Sequence, residues 1–417
     1  SSAGQFEMTS WAGPTPPPNI QMKATSTMKD DTTLVHAGRK PFDNNGIVNP
    51  PVFHASTVLF PTLASWEHAR ENRDEPGTII YGRRGTPTTF ALQDAMAALE
   101  GADHCVAVPS GLAAITVPLL AYLNPGDHML MLDAVYYPAR RFTETLLNRI
   151  GVETTFYDPN IGEGIADLIR DTTRVIYIEA PGSQTFEMQD IPAITKIAKD
   201  AGAITMMDNT WATPLYFKPL DFGVDISIMA ATKYIVGHSD AMLGMISTRD
   251  EHHAAVRDSA WTLGMTVGPD DCYLGQRGIR TLSARLARHQ ESAFRIAEWF
   301  EAREEVDRVL YPALPSDPGH EIWKRDFKGA SGLFGVVLKE TPKEAVAAML
   351  DGYHYFGMGG SWGGYESLVL PTQPEKLRSA TTWDAPGPTL RYHIGLEDPE
   401  DLIGDLEAGF ERLRASA

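Results

Sequence analysis

Short apolar runs alternate with stretches of helical spacing between about residue 86 and residue 250 of the chain. Across residues 88–99 the apolar positions recur every three or four residues and Gly101 follows, a pattern that predicts an amphipathic helix. The apolar runs themselves are nearly continuous, as in strands of a mostly parallel sheet that is covered on both faces. The predicted strands are residues 105–108, 128–132, 174–178, 204–207, 226–229 and 242–246.

The pattern changes after a long helical stretch at residues 280–303. Four further strands, predicted at 307–311, 332–338, 367–370 and 390–394, are mixed with helices, and a closing amphipathic helix is predicted from 399 to about 413. We therefore expect a mostly parallel α/β domain over residues 86–280 and a smaller α+β domain over residues 281–417. Residues 31–85 form an N-terminal arm in this interpretation, and residues 1–30, polar and rich in proline, are expected to be disordered.

Composition and charge exclude several classes of function. A formal net charge of −18 argues against binding to nucleic acid or to an anionic membrane, because both require a basic surface. The two cysteines, Cys105 and Cys272, lie far apart, which excludes a disulfide framework and a thiolate zinc site and fits a reducing cytoplasm. The twelve histidines show no metal-ligand spacing, no apolar stretch is long enough to span a bilayer, and the first thirty residues carry no secretory signal.

Lys233 ends an apolar run that begins at Ile226, where a predicted strand meets a loop. An ammonium half-removed from water is unfavourable unless it is paired, and burial lowers the pKa of a lysine toward the free amine that forms Schiff bases. Asp208 ends the preceding predicted strand in the same way. A lysine for an aldehyde and a carboxylate for a pyridinium nitrogen are what pyridoxal phosphate requires of its protein. A structural lysine that extends toward solvent explains Lys233 equally well on its own.

Three segments offer groups for a phosphate. Ser110 and Gly111 form a turn between a predicted strand and a predicted helix, where free N–H groups and the helix dipole bind anions. Thr232 adds a hydroxyl. Tyr81 and Arg83 lie in a glycine-containing segment before the first long helix, and their side chains suit hydrogen bonds to a phosphate dianion. An ordinary strand–helix turn and a solvated basic loop remain the alternatives.

Two further residues are candidates for contact with a flat ring and with a carboxylate. Tyr136 follows the predicted strand at 128–132, at the edge where open α/β sheets bind ligands, and suits either stacking or ordinary packing. Arg391 lies within an apolar strand pattern and therefore needs an anionic partner, either an amino-acid carboxylate or an internal salt bridge. Residues 360–367, Gly-Ser-Trp-Gly-Gly-Tyr-Glu-Ser, form a glycine-rich turn that suits the wall of a site.

Together these motifs resemble the Cys/Met-metabolism family of pyridoxal-phosphate enzymes, from about Asp31 to Leu413. The resemblance rests on Tyr-Gly-Arg-Arg-Gly-Thr at 81–86, Pro-Gly-Ser at 181–183, Asp-Asn-Thr-Trp at 208–211, Ala-Ala-Thr-Lys-Tyr-Ile-Val-Gly-His-Ser-Asp at 230–240, Pro-Ala-Leu-Pro at 312–315, Ser-Trp-Gly-Gly-Tyr-Glu-Ser at 361–367 and His-Ile-Gly-Leu-Glu-Asp at 393–398. It implies the aspartate-aminotransferase-like fold type I, with an arm that embraces a partner subunit. It also implies pyridoxal 5′-phosphate as cofactor and a homotetramer, a dimer of dimers with shared active sites.

The resemblance assigns roles in catalysis to matching residues. Lys233 would hold the cofactor as a Schiff base and then move the substrate's proton as general base and acid. Asp208 would pair with the protonated pyridine nitrogen and preserve the ring as an electron sink, while Tyr136 would stack on that ring. Tyr81 joins Lys233 and Tyr136 in the implied catalytic set.

The implied phosphate site draws on two subunits. The backbone amides of Gly111 and Leu112 and the hydroxyl of Thr232 would hold the phosphate within one subunit. Tyr81 and Arg83 would reach the same phosphate from the neighbouring subunit. The active site would therefore span a dimer interface.

On the substrate side, the resemblance implies Arg391 for the α-carboxylate, with Ser361 and Trp362 along the wall. Trp362 and Ala230 match the β-lyase branch, which implies β-elimination of L-cystathionine to homocysteine, pyruvate and ammonia in methionine biosynthesis. Gly360 stands where that branch carries a tyrosine, which leaves the contacts of the far end of the substrate open. The alternatives are a γ-lyase or γ-synthase of the same family, or a broad cysteine-S-conjugate or cystine β-lyase. An NAD-binding oxidoreductase is disfavoured because no GxGxxG follows an early strand.

Overall fold

A computed structural model describes residues 28–417, so most of the segment predicted to be disordered lies outside the described residues. The larger of its two sheets has seven strands. They are β1 His104–Val108, β2 His128–Leu132, β3 Glu153–Tyr157, β4 Thr173–Glu179, β5 Ile204–Asp208, β6 Ile226–Met229 and β7 Gly244–Thr248.

The larger sheet is mostly parallel, as predicted. Its strand order is β1-β7-β6-β5-β4-β2-β3, and β7 alone runs against its neighbours β1 and β6. Strands β2, β6 and β7 are buried along their whole length, as expected of a sheet that is covered on both faces. The sequence analysis missed β3, an edge strand whose residues Glu153–Tyr157 are mostly polar and partly exposed. The strand predicted at 242–246 begins only at Gly244.

The smaller sheet has four antiparallel strands in the order β10-β11-β9-β8. They are β8 Val306–Leu310, β9 Leu333–Leu338, β10 Leu368–Thr372 and β11 Thr389–His393. An antiparallel sheet among helices agrees with the α+β character predicted for the end of the chain. The predicted domain boundaries at 86–280 and 281–417 stay a prediction.

Thirteen α-helices surround the sheets in the described part of the chain. They are α1 Asp30–His36, α2 Leu63–Glu71, α3 Pro87–Glu100, α4 Gly111–Tyr122, α5 Tyr137–Phe142, α6 Ile191–Ala201, α7 Thr213–Tyr216, α8 Asp250–Thr262, α9 Pro269–Ile279, α10 Leu282–Glu301, α11 His320–Asp326, α12 Lys343–Asp351 and α13 Pro399–Ala415. Helix α3 ends at Gly101, whose φ of +70° is easily adopted by glycine, as its sequence predicts. Within residues 28–417, no helix has the length and apolar character needed to cross a membrane.

A buried ion pair joins the connection between β10 and β11 to the larger sheet. Asp133, at the end of β2, pairs with Arg140 and is almost fully buried. Its carboxylate also accepts backbone N–H bonds from Ser379, Ala380 and Thr381, at 2.9, 3.1 and 2.8 Å. Asp133 therefore fixes the segment that leads into β11 against the strand that leads to Tyr136.

Candidate active site

A cavity of about 490 Å³ opens where β1, β4, β5 and β6 end, the edge at which open α/β sheets bind ligands. The smaller sheet contributes to its wall through Leu333, Leu370 and Arg391. The cavity is lined by Ser110, Gly111, Leu112, Ile115, Tyr136, Glu179, Pro181, Gly182, Ser183, Gln184, Phe186, Asp208, Thr210, Trp211, Ala230, Thr232, Lys233, Met242, Leu333, Gly360, Ser361, Trp362, Leu370 and Arg391. Nine of the eleven residues predicted to form a site line this one cavity, and Tyr81 and Arg83 do not.

Lys233 follows β6 and extends its amine into the cavity. Its Nζ donates to Ser361 Oγ at 2.6 Å and lies 5.5 Å from the centre of the Trp362 ring. Burial, together with the nearby Arg391 cation and against the opposing charge of Asp208, lowers the pKa of Lys233 to about 8. A substantial fraction of Lys233 is therefore the free amine in mildly alkaline solution.

Asp208 ends β5 beneath the same cavity and is almost fully buried. Its Oδ1 accepts the Thr210 N–H at 2.9 Å, and the Thr210 hydroxyl in turn accepts the Ala230 N–H at 2.8 Å. Burial raises the pKa of Asp208, whereas the bonds from Thr210 and the Lys233 charge lower it. A cation bound in the cavity would further favour the ionised form of the Asp208 carboxylate.

The start of α4 forms the anion-binding corner of the cavity. The Ser110 hydroxyl caps the helix by accepting the Ala113 N–H at 3.1 Å, and the first N–H groups of an α-helix have no acceptor within the helix. A side chain at Gly111 would place its Cβ 2.5 Å from Ala230 Cβ, so only glycine fits between α4 and the strand-end loop. The helix N-terminus thus reaches the cavity beside Ala230 with its backbone exposed to a ligand.

Thr232 lines the cavity, but its hydroxyl already has partners. It accepts the Leu243 N–H at 2.9 Å and donates to the Leu243 carbonyl at 3.1 Å. Donating to a phosphate would require the hydroxyl to give up the bond to that carbonyl.

Arg391 lies in the middle of β11 and supplies an unpaired cation to the cavity. One Nη donates to the Ser361 carbonyl at 3.2 Å. Within residues 28–417, no carboxylate oxygen lies within 4.0 Å of its guanidinium, so the internal salt bridge left open by the sequence is not formed there. Ser361 therefore contacts both cations, Lys233 through its hydroxyl and Arg391 through its carbonyl. The Ser361 φ of +131° is strained for any residue that has a Cβ, and such strain is often found at functional sites.

Tyr136 and Glu179 form a contact that the sequence analysis did not predict. The Tyr136 ring is half exposed at the cavity, and its backbone N–H donates to Glu179 Oε2 at 2.8 Å. Glu179 ends β4 directly opposite Asp208 of β5. Burial and the Asp208 charge raise the pKa of Glu179 well above its usual range. The signal was present in the sequence, because Glu179, like Asp208, is an acid at the end of an apolar strand.

Tyr81 and Arg83 lie away from the cavity of their own chain. Tyr81 is about half exposed, and the Arg83 guanidinium donates to the Trp261 carbonyl at 2.7 Å. Their predicted role in a neighbouring subunit stays a prediction. Gly360 does line the cavity, and a Cβ built there meets no atom within 4 Å, so the space expected to hold a tyrosine is open.

These features fit pyridoxal phosphate. A lysine with a lowered pKa, a buried carboxyl, a helix N-terminus and an unpaired guanidinium face one cavity. These groups match the cofactor's aldehyde, its ring nitrogen, its phosphate and a substrate carboxylate, in that order. Gln184 Oε1 is also buried in the wall without a hydrogen-bond partner in the described chain. Within residues 28–417, no cluster of three potential metal ligands is found.

A lysine and an acid at adjacent strand ends of a mostly parallel sheet define a fold-type-I pyridoxal-phosphate enzyme. Residues 31–411 match the family described as Cys/Met metabolism PLP-dependent enzymes. The chain belongs to that family, and its cofactor is pyridoxal 5′-phosphate. The fold class, the family and the cofactor predicted from the sequence are therefore confirmed.

Named relatives span nearly the whole chain. A Rhizobium johnstonii protein, provisionally named a cystathionine β-lyase, is 53% identical over 91% of this chain and 95% of its own. The cystathionine β-lyase of Escherichia coli is 46% identical over 92% of this chain and 99% of its own. A Wolbachia pipientis protein named an L-alanine/L-glutamate racemase is 45% identical over 93% of this chain and 98% of its own.

Solved structures show the same fold. The cystathionine γ-synthase of Xanthomonas oryzae, in complex with cystathionine, superposes with a TM-score of 0.85 at 33% identity. The match covers 94% of this chain and 100% of that chain. Similar proteins thus carry lyase, synthase and racemase names on one scaffold.

Proposed function

We propose that the chain is a pyridoxal-phosphate-dependent carbon–sulfur lyase that cleaves L-cystathionine at its Cβ–S bond. Homocysteine, pyruvate and ammonia are the products, and homocysteine enters methionine biosynthesis. One observation carries the proposal: Lys233 and Arg391 both contact Ser361. Lys233 Nζ lies 2.6 Å from the Ser361 hydroxyl, and the Arg391 guanidinium lies 3.2 Å from the Ser361 carbonyl. The β-lyase names of two relatives support the choice of reaction.

The reaction divides between cofactor and protein. Bound pyridoxal phosphate supplies an aldehyde for the substrate amine and a ring that accepts the electron pair left when Cα loses its proton. Lys233, with a pKa lowered to about 8, is available as the free amine that removes this proton. Arg391 binds the α-carboxylate through its fork of N–H donors and thereby directs Cα toward Lys233. The ammonium of Lys233 then donates its proton to the departing sulfur.

Residues that line the cavity would hold the cofactor. Asp208 would pair with the protonated ring nitrogen, and the Tyr136 ring would stack on the cofactor ring. The Gly111 and Leu112 amides at the start of α4 would bind the phosphate, joined by Thr232 once its hydroxyl turns from Leu243. Ser361 and Trp362 line the substrate side next to Lys233.

A second copy of the chain completes the site in this proposal. Tyr81 and Arg83 lie outside their own cavity, and the segment before them exposes large apolar side chains. Phe42, Leu59 and Leu63 are 83%, 88% and 70% exposed, an unusual concentration of apolar surface for one stretch of chain. This surface packs on the partner, delivers Tyr81 and Arg83 to the partner's phosphate site, and forms the dimer from which a homotetramer is built.

The cellular setting is inferred from the chain's chemistry. Cys105 and Cys272 are buried free thiols, which suits the reducing cytoplasm. The net charge of −18 argues against nucleic acid or an anionic membrane as a partner, and the partner proposed for the site is a small amino-acid thioether.

The first experiment tests the cofactor site. Purified protein is expected to absorb visible light, and borohydride is expected to fix a pyridoxyl group on Lys233, located by peptide mass spectrometry. Lys233→Ala is the matched control and should bind cofactor without forming the reducible bond. A pyridoxyl group on another lysine of the wild-type protein would contradict the assignment.

The second experiment identifies the reaction from its products. Incubation with L-cystathionine is expected to yield pyruvate and homocysteine. Formation of 2-oxobutyrate would indicate a γ-lyase instead. Conversion of L-alanine to D-alanine without any keto acid would indicate the racemase activity for which one relative is named.

A further inference from the structure

Glu179 is a carboxyl group in the cavity that the proposed reaction does not use. It ends β4, lines the cavity and faces Asp208 across the β4–β5 pairing. Its Oε2 accepts the backbone N–H of Tyr136 at 2.8 Å. Glu179 thus connects Asp208 with Tyr136, the two residues proposed to contact the cofactor's ring nitrogen and ring face.

The position of the Tyr136 backbone depends in part on its hydrogen bond to Glu179. Neighbouring bonds hold the residues before it, from Ser183 N–H to the Ala134 carbonyl at 2.7 Å and from Val135 N–H to the Leu132 carbonyl at 3.2 Å. Tyr136 is the N-cap residue that precedes α5, and its own N–H donates to the Glu179 side chain. The Tyr136 carbonyl accepts the Ala139 N–H at 2.9 Å, so loss of the Glu179 acceptor would loosen the residue on its N–H side only.

Electrostatics decides which of the two acids carries the charge. Two adjacent buried carboxyls rarely ionise together, because each charge opposes the other. Asp208 has the Thr210 bonds and the Lys233 cation in its favour. Glu179 has only the Tyr136 N–H, and burial together with the Asp208 charge raises its pKa. Of the two acids, Glu179 is therefore the one expected to hold a proton more readily.

We propose that Glu179 is a positioning residue that works as a neutral carboxylic acid. Its carbonyl oxygen fixes the Tyr136 N–H and so sets the ring of Tyr136 against the cofactor. Its neutrality leaves Asp208 as the single anion available to the ring nitrogen. The inference rests on the proposed function for two roles, the stacking of Tyr136 on the cofactor ring and the pairing of Asp208 with the ring nitrogen.

The test compares Glu179→Gln with Glu179→Leu. Glutamine is neutral and keeps the acceptor, so the Kd for pyridoxal phosphate and kcat/KM should stay within about threefold of wild type. Leucine removes the acceptor and leaves the Tyr136 N–H unpaired, so the Kd should rise about 10-fold to 100-fold. Tm of the apoprotein monitors folding in each variant. Infrared difference spectra of the apoprotein near neutral pH should show a protonated-carboxyl band that Glu179→Gln lacks.

Each result bears on the proposal. It is overturned if Glu179→Gln weakens cofactor binding as much as Glu179→Leu, since a charge would then be required. An unchanged Kd in Glu179→Leu, or no protonated-carboxyl band assigned to Glu179, also overturns it. Should Glu179→Leu fail to fold, Glu179→Asp shortens the side chain beyond reach of the Tyr136 N–H, and wild-type cofactor affinity in that variant refutes the positioning role.

Failure of the proposed function has a different signature. A wild-type protein that binds the cofactor but releases no keto acid from cystathionine contradicts the lyase assignment. The infrared band and the cofactor affinities of the Glu179 variants are measured without turnover, so they test the positioning role in that case as well.

Discussion

Gly363 offers the sharpest test of how the fold holds Lys233. Its φ of +85° lies in the left-handed region, and its backbone packs directly on that of Lys233. A Cβ at this position would lie 2.9 Å from the Lys233 carbonyl carbon, 2.9 Å from the Tyr234 nitrogen and 3.0 Å from Lys233 Cα. These neighbours are main-chain atoms, which cannot rotate away as a flexible side chain would.

The expected effect of Gly363→Ala follows from two terms. The left-handed conformation costs a residue with a Cβ about 1–2 kcal/mol. Overpacking against fixed atoms adds about 1–3 kcal/mol. We expect the free energy of unfolding to fall by about 2–5 kcal/mol in total. A shift of the Lys233 backbone would also misplace Nζ, and a displacement of about 1 Å lowers kcat by up to about 100-fold.

The assay pairs chemical unfolding of the apoprotein with steady-state kinetics of the holoenzyme. Gly404→Ala is the matched control, because Gly404 is an exposed residue of α13 and an added Cβ there meets no atom within 4 Å. It should stabilise the protein by about 0.5–1 kcal/mol, as alanine favours a helix. If Gly363→Ala unfolds like wild type and keeps full kcat, the contact with Lys233 does not constrain the site.

Four further outcomes are expected. Arg391→Lys should raise KM for cystathionine about 10-fold to 100-fold by removing the bidentate fork, and an unchanged KM would exclude Arg391 from carboxylate binding. Because the pKa of Lys233 is lowered to about 8 from 10.5, the unfolded chain binds more protons between those pH values. Apoprotein stability should therefore rise with pH across that window, and urea titrations of Lys233→Met should lack that component. Asp133→Asn should destabilise the protein by about 3–5 kcal/mol in chemical unfolding, since it removes the buried anion that pairs with Arg140 and leaves only the half-exposed Glu144 as a partner. Gly360→Ala should change stability by less than about 0.5 kcal/mol, and a larger loss would show that the open space is filled in the assembled enzyme.

The site residues that the sequence predicts are mainly those at the ends of strands. Lys233 and Asp208 each follow an apolar run in the sequence. Because the carboxyl ends of parallel strands lie at one edge of a sheet, local sequence predicts that both side chains lie at that edge. Arg391 was detectable because a charge in an apolar strand requires a partner. The predictions that placed Lys233, Asp208 and Arg391 in one cavity agree with the structure.

The remainder depends on contacts between distant segments. Two contacts form only when the segment before β10 packs on the end of β6. They are the hydrogen bond from Lys233 to Ser361 and the packing of Gly363 on Lys233. Glu179, like Asp208, is an acid at the end of an apolar strand. Its partner is the backbone N–H of Tyr136, and the sequence does not show which backbone group a side chain will contact. Strand β3 escaped prediction because an edge strand needs no continuous apolar run. The proposed placement of Tyr81 and Arg83 depends on a second chain, which no single sequence locates.

The contact between Lys233 and Ser361 also bears on how the enzyme folds. The cavity draws on residues from Ser110 to Arg391, so it exists only after most of the chain has reached its native neighbours. Pairings between such distant segments form slowly, because the entropy of closing long loops must be lost first. Capture of pyridoxal phosphate is therefore expected to be a late event in refolding. The absorbance of the bound cofactor would then report the arrival of the native state, after helical circular dichroism has already recovered.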